Sequence, residues 1–426
     1  MRLSATARTT DDAADAPSRG TRSRGSPMPR PVGMNDERAG DGARQDGGEQ
    51  KELVFFCPDV TDSPTLKRVQ QFLDHGYRVT VFGFRRERYN RDYAPAWPYV
   101  PLGTTADGDY GQRLRALLRA IPVVLARRRS LRRATAFYAR NIDQLLLALL
   151  ARLVSNRRIP ITYEVLDIPP ILMKRGVAAS FIRACERICL RRINMLVLSS
   201  PAFYRGYYSA IQKYRGRWFL MENKLYPPIP RTRAQIPRST KGTRKWVVGY
   251  FGLIRGDATF ELMTRLAERL GDRVEFRFRG VLTTVTQSIF EQTLRRLPNM
   301  VYGGPYVPQH ELEAMYADVD FAWALDLEHT DHNSRWLLPN RLYEAGYFGV
   351  PCLAVRDFEV GDLVERHRTG WTFGEPLEEQ LVQFFERLSR THYDRVRRYM
   401  QVMPQSTFVA GADVSQLCAA LERTDD

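Results

Sequence analysis

The chain has 426 residues, too many for one ordinary domain and suited to two, with 44% hydrophobic residues to fill their cores. Lysine and arginine outnumber aspartate and glutamate by 64 to 48, a formal charge of +16. This favours an anionic partner: a nucleotide diphosphate, an acidic membrane surface or nucleic acid. No run of 18 or more apolar residues occurs, so no membrane-spanning helix is expected. The five cysteines, odd in number and scattered, complete neither a disulfide framework nor a metal site and point to reduced thiols in a cytosolic protein.

Residues 1–50 are rich in Gly, Arg, Asp, Ser and Pro and nearly lack large apolar residues, which predicts a disordered tail. Met28 and Met34 are candidate starts within it, and no apolar stretch marks a secretory signal. From Glu52 the pattern changes. Leu53–Phe56 reads as a buried strand and Val79–Gly83 as a second. Between them Thr65–Gly76 reads as a helix with Leu66, Val69, Phe72 and Leu73 on one face. Asp59 and Asp62 follow the first strand, beside Pro58 and Pro64. A carboxylate there either accepts the proton of an acceptor hydroxyl or caps the next helix.

Eight arginines lie between Arg113 and Arg133, interleaved with Leu114, Leu117, Leu118, Ile121 and Leu125. Such a basic amphipathic segment reads as membrane-surface binding, with a solvated helix face as the alternative. A helix over Leu145–Leu153, the strand Ile161–Asp167, a helix over Phe181–Leu190 and the strand Met195–Ser199 follow. The alternation predicts a parallel sheet with helices on both faces, in a domain spanning 51–225. Residues 226–245 are proline-rich and basic and read as a linker.

Trp246–Gly252 opens a second α/β unit, 246–395, with a helix over Thr259–Leu270, the strand Val274–Arg279, a helix over Glu311–Ala317 and the strand Phe321–Leu325. Residues 396–426 are expected to form a helical segment that packs back on the first domain. In the second unit, Gly249-Tyr250-Phe251-Gly252-Leu253-Ile254-Arg255-Gly256 follows a strand. Glycines there let the backbone approach a ligand closely, and Arg255 has the donor fork that holds a diphosphate. The most informative stretch runs from Pro339 to Val355. It reads as a helix that opens at a proline, stops at Gly349 and passes into the buried strand Cys352–Val355. Its entrance offers free N–H groups and the positive end of the helix dipole to a phosphate. Arg341 adds a fixed cation, and Glu344, one turn in, is placed to accept from a sugar diol.

This stretch resembles the P-x-(K/R)-x-x-E-x-x-x-x-G-x-P signature in the second domain of GT-B glycosyltransferases, particularly the family 4 group. The run Asp331–Pro339 before it is similar to a subset from succinoglycan-type exopolysaccharide synthesis. The resemblance covers roughly residues 51–395 and is strongest in the second half. It implies an α/β protein of GT-B fold, two Rossmann-like doubly wound domains facing a cleft. It also implies transfer of a sugar from a nucleotide-sugar donor to a lipid-linked saccharide acceptor, in exopolysaccharide or cell-surface glycan synthesis.

Donor binding is then expected at Gly252, Arg255, Gly280, Arg335, Asn340, Arg341 and Glu344. Asp167, Asp59 and His332 are candidate catalytic residues. No cofactor or metal is expected, because no Asp-x-Asp motif sits at a strand end of the right kind. The expected partners are the donor, the acceptor and an anionic membrane surface, with no nucleic acid. The expected location is cytoplasmic, peripheral on the inner face of the plasma membrane. Two departures stand out. Trp336 occupies the position, eight before Glu344, where the family often carries a glutamate, and Leu166 precedes Asp167 where many members have histidine. One of Asp326, Glu328, His329, Asp331 and His332 is expected to replace the missing glutamate. A noncatalytic GT-B-like module that binds nucleotide-sugar or glycan is the alternative reading.

Overall fold

A computed structural model describes residues 51–86, 93–105, 110–229, 245–330 and 332–422. The predicted tail and most of the predicted linker lie outside these residues, as does Asp331.

The first half runs β1 (Glu52–Cys57), α1 (Ser63–Asp74), β2 (Arg78–Arg85), β3 (Tyr99–Thr104), α2 (Tyr110–Ala126) and α3 (Arg128–Leu131). It continues with β4 (Ala136–Arg140), α4 (Ile142–Val154), β5 (Ile161–Val165), α5 (Pro170–Met173) and α6 (Val177–Leu190). Then come β6 (Met195–Leu198), α7 (Pro201–Phe203), a π-helical turn over Tyr204–Ser209 and β7 (Trp218–Leu220). The second half runs β8 (Trp246–Ile254), α8 (Asp257–Leu270), β9 (Val274–Leu282), α9 (Gln287–Arg296), β10 (Met300–Tyr302) and α10 (Pro308–Ala317). It continues with β11 (Phe321–Trp323), α11 (Asn333–Trp336), α12 (Asn340–Tyr347), β12 (Cys352–Val355), α13 (Glu359–His367) and β13 (Gly370–Phe373). Helices α14 (Leu377–Arg387), α15 (Arg390–Gln401) and α16 (Ala412–Glu422) close the described chain.

The strands form two all-parallel sheets, ordered β3-β2-β1-β4-β5-β6-β7 and β10-β9-β8-β11-β12-β13. Both are doubly wound. Each reverses direction beside its first strand, and the crevice at the strands' carboxyl ends at that point is where such sheets bind ligands. The apolar runs of β1, β4, β5 and β6 are buried because helices cover both faces. On one face α2, α4 and α6 pack over Phe56, Phe137 and Leu196. On the other, α1 and α16 share a core in which Val414, Leu417 and Leu421 meet Leu53, Val69 and Phe72. The last helix therefore returns to the first sheet, where Glu422 also pairs with Lys51 at 2.5 Å.

Several contacts among the described residues join the halves. Trp336 lies against Gly206, where a Cβ would come within 2.5 Å of its ring. Arg205 pairs with Glu359 at 2.5 Å. The Ile168 N–H donates to Asn333 Oδ1 at 3.1 Å.

Candidate donor and acceptor site

The site begins with the pairing of β8 and β9, in register from Trp246↔Val274 to Ile254↔Leu282. Gly252 and Gly280 face each other in that register, with φ of +109° and +133°. A Cβ on Gly280 would sit 1.8 Å from the Gly252 carbonyl oxygen, so only glycine fits. Over Gly252 there is space: an added Cβ would stop 3.8 Å from Arg341 Nη2 and 4.0 Å from the Tyr306 hydroxyl. The two glycines thus form a floor beneath a guanidinium and a phenol.

Arg341 stands in the first turn of α12, entered from Pro339 in extended geometry. Its Nη1 donates to the Trp323 carbonyl at 3.2 Å and its guanidinium lies 4.4 Å from the Tyr250 ring centroid. That carbonyl and that ring fix the cation above the floor. Among the described residues no carboxylate reaches Arg341 at ion-pair distance. Glu344, one turn on and half-buried, accepts from the Tyr316 hydroxyl at 3.0 Å. Burial raises its pKa, against the Tyr316 hydrogen bond and the charges of Lys67 and Arg341. Lys67 reaches the site from α1 of the first half and donates to the Asn223 and Lys224 carbonyls at 3.1 and 2.8 Å. Burial, helped by Arg68, lowers its pKa to about 8.

Arg255 differs from its sequence expectation. Its guanidinium is held by Asp326 at 2.5 Å and Glu328 at 3.3 Å. Burial would raise the Asp326 pKa, but Arg255 and two further hydrogen bonds hold it below the usual range. Asp326 also accepts from Ser334 Oγ at 2.9 Å and the Glu328 N–H at 3.1 Å. It therefore organises the 326–334 loop around Arg255, and Arg255 meets a diphosphate only in competition with these carboxylates. Arg335 lies outside the floor, with its guanidinium 5.0 Å from the Phe358 ring and a 3.4 Å bond to the Asp357 carbonyl. Asn340 is the first residue of α12.

Of the catalytic candidates, Asp167 and His332 lie on two segments that meet. Asp167 is exposed just beyond β5. The next residue, Ile168, is bonded to Asn333, the neighbour of His332. His332 is 6% exposed and its ring stacks on His329, with centroids 5.4 Å apart. Asp59 lies just beyond the end of β1 in the first half. It is 2% exposed and accepts from the Thr61 N–H at 2.9 Å and the Thr61 hydroxyl at 2.8 Å. Those bonds shape the β1–α1 turn. Asp62 caps α1 through the Thr65 N–H at 2.6 Å.

Sequence reasoning missed Tyr306, Tyr316 and Lys67, which no motif marks. Tyr250 sat inside the glycine turn; its ring carries the Arg341 guanidinium and its hydroxyl accepts the Arg255 N–H at 3.3 Å. Trp336 acquires a physical account: its ring fills the notch at Gly206 in the opposite half.

No family model matches the chain. Over 311 residues it is 29% identical to the succinoglycan biosynthesis protein ExoL of Rhizobium meliloti, covering 72% of this chain and 77% of that protein. Among solved structures it is similar to HepE of Anabaena in complex with UDP and glucose, with a TM-score of 0.63 at 14% identity, covering 87% of this chain and 99% of that one. It is also similar to sucrose-phosphate synthase of Thermosynechococcus elongatus, with a TM-score of 0.66 at 12% identity, covering 87% and 98%. The chain has the GT-B fold of glycosyltransferases, two Rossmann-like doubly wound domains facing a cleft, and it resembles exopolysaccharide-synthesis proteins in sequence.

Proposed function

We propose that this protein is a glycosyltransferase of exopolysaccharide or cell-surface glycan synthesis, moving a sugar from a nucleotide-sugar to a saccharide acceptor. The observation that carries the reading is Arg341 and Glu344 on one helix entrance above the floor of Gly252 and Gly280. The diphosphate lies on the glycine floor against Arg341 and the N–H groups of α12. Glu344 accepts hydrogen bonds from the ribose hydroxyls. As the sugar–phosphate bond breaks, charge grows on the leaving diphosphate, and a pre-positioned guanidinium stabilises that charge more than the ground state. Arg255 joins it by exchanging Asp326 and Glu328 for phosphate oxygens.

Asp167 and His332 are the proposed residues for the acceptor hydroxyl proton, on opposite lips of the cleft. Support for the donor class comes from HepE, solved with UDP and glucose, and support for the pathway class from ExoL, a succinoglycan biosynthesis protein. A lipid-linked acceptor puts the enzyme on the inner face of the plasma membrane as a peripheral protein; no helix among the described residues is long and apolar enough to cross it.

A second reading, a noncatalytic module that binds nucleotide-sugar, has one observation in its favour: Trp336 stands at the position of a common family glutamate and packs against Gly206. A thermal-shift screen of nucleotide-sugars, followed by a transfer and hydrolysis assay with the best ligand, separates the two. A stabilising ligand that is turned over supports the enzyme; one that binds and stays intact supports the module; no stabilising ligand overturns both.

A further inference from the structure

The layer of helices on the outer face of the first sheet has two properties that the donor site does not use. First, it exposes large apolar side chains in register. Leu114 and Leu118 on α2 are 57% and 56% exposed, Leu146 and Leu153 on α4 are 40% and 59%, and Val177 and Phe181 on α6 are 88% and 68%. These fall at helical spacings of four or seven, so each helix turns one apolar stripe outward while a second stripe fills the core. The three helices pack side by side, α2 on α4 and α4 on α6. The stripes therefore make one surface, and apolar patches of that kind mark interaction sites.

Second, among the described residues the exposed charge of this layer has one sign. The carboxylates of the three helices are Asp143, paired with Arg113 at 2.5 Å, and Glu186, buried and hydrogen-bonded to Gln212 at 2.6 Å and Tyr208 at 3.2 Å. Around the stripes stand Arg115 and Arg119, the exposed run Arg127–Arg129, Arg132 and Arg133, and the pair Lys174 and Arg175. At the far ends of α4 and α6, burial and the nearby charge of Arg192 lower the pKa of Arg152.

Separate apolar anchors inside a ring of arginines match an acyl boundary covered by anionic headgroups. Nucleic acid fits less well, because the surface exposes one aromatic side chain, Phe181, and no stacking set. We propose that the α2–α4–α6 layer docks on an anionic lipid bilayer, with Leu118, Leu153 and Phe181 entering the headgroup boundary and the surrounding arginines holding phosphates. The sequence pointed to the arginine-rich segment alone; the docking surface is three helices wide. Helix α4 starts at the carboxyl end of β4, and α6 follows β5 after the short α5, so a bilayer docked on this layer borders the acceptor side. The proposal does not depend on the transfer reading, since vesicle binding and donor binding are measured separately.

Co-sedimentation of the full chain with phosphatidylglycerol-containing vesicles and with neutral phosphatidylcholine vesicles tests it. Wild type is expected to bind the anionic vesicles, to bind neutral ones weakly and to lose binding as salt rises. R128Q/R129Q/R132Q/R133Q loses roughly a hundredfold or more of affinity. L118S/F181S loses about tenfold or more while keeping the salt dependence. Circular dichroism and donor titration verify that both variants remain folded. Equal binding to neutral vesicles overturns the proposal. So does unchanged binding by L118S/F181S, which would mean adsorption by charge alone. A lipid-free dimer that dissociates in L118S/F181S would assign the face to a second copy of this chain and also overturn it.

Discussion

Each sheet ends in an arginine–carboxylate cluster, and the two differ in access. In the first half Arg68 and Arg140 close on Glu164 at 2.6 and 2.8 Å, and the three are 4%, 2% and 0% exposed. Burial alone would raise the Glu164 pKa, but the two guanidiniums hold it at about 2. Nothing reaches this cluster from solvent; it fixes α1 and β4 on β5. In the second half Arg255 and Asp326 keep 24% and 16% of their side chains exposed, beside a glycine floor with room above it. The same pairing of arginine and carboxylate is sealed in one half and opens on a gap in the other.

The sharpest way to break this comparison is to remove the sealed carboxylate. Glu164→Gln leaves two buried guanidiniums with no charged acceptor, and should cost ~3–5 kcal/mol in chemical denaturation at neutral pH. The sign with pH is set by the depressed pKa. The Glu164 contribution is complete above its ordinary value of 4.5 and is lost as pH falls towards about 2. E164Q should lack that acid-dependent loss. A variant as stable as wild type would mean the cluster is not what holds these elements.

On the open side, Glu344→Ala should leave the fold intact and weaken the donor by ~1.5–3 kcal/mol, roughly ten- to hundredfold. The loss should appear with the ribonucleotide and shrink with a 2′,3′-dideoxy analogue in competition binding. Because burial raises the Glu344 pKa, donor affinity in wild type should begin to fall at a higher pH than for an ordinary carboxylate as the solution is acidified. Gly280→Ala sharpens the role of the floor: a Cβ 1.8 Å from the Gly252 carbonyl, at φ +133°, should cost ~1–3 kcal/mol in stability and reduce donor affinity. The smallest effect expected is that of a chelator. With Arg341 and Arg255 carrying the leaving-group charge, the transfer rate in a product assay should not change.

Much of the donor half was legible in the sequence because its signals are local. A proline entrance, a helical period and Gly349 with φ +65° bounded α12, and the apolar run Cys352–Val355 is β12 residue for residue. Short edge strands escaped: β3, β7, β10 and β13 have three to six residues and mixed exposure, so no alternation marks them. The site's long-range partners escaped for another reason. Lys67 and Glu344, or Gly206 and Trp336, are far apart in sequence and meet only once both sheets are built. The pairing of Arg255 with Asp326 and Glu328 was hidden in the same way, although all three residues had been singled out. The outward stripe of α6 was lost because its helix begins at Val177, four residues before the predicted start at Phe181.

The central claim is that Arg341, above the glycine floor, holds the donor diphosphate. Calorimetric titration of the nucleotide-sugar selected by thermal shift, into wild type and Arg341→Ala, tests it most directly. The account predicts a ten- to hundredfold loss of affinity in the variant, roughly 1.5–3 kcal/mol, with an unchanged unfolding transition. Equal affinity in the two proteins, both folded, would contradict it.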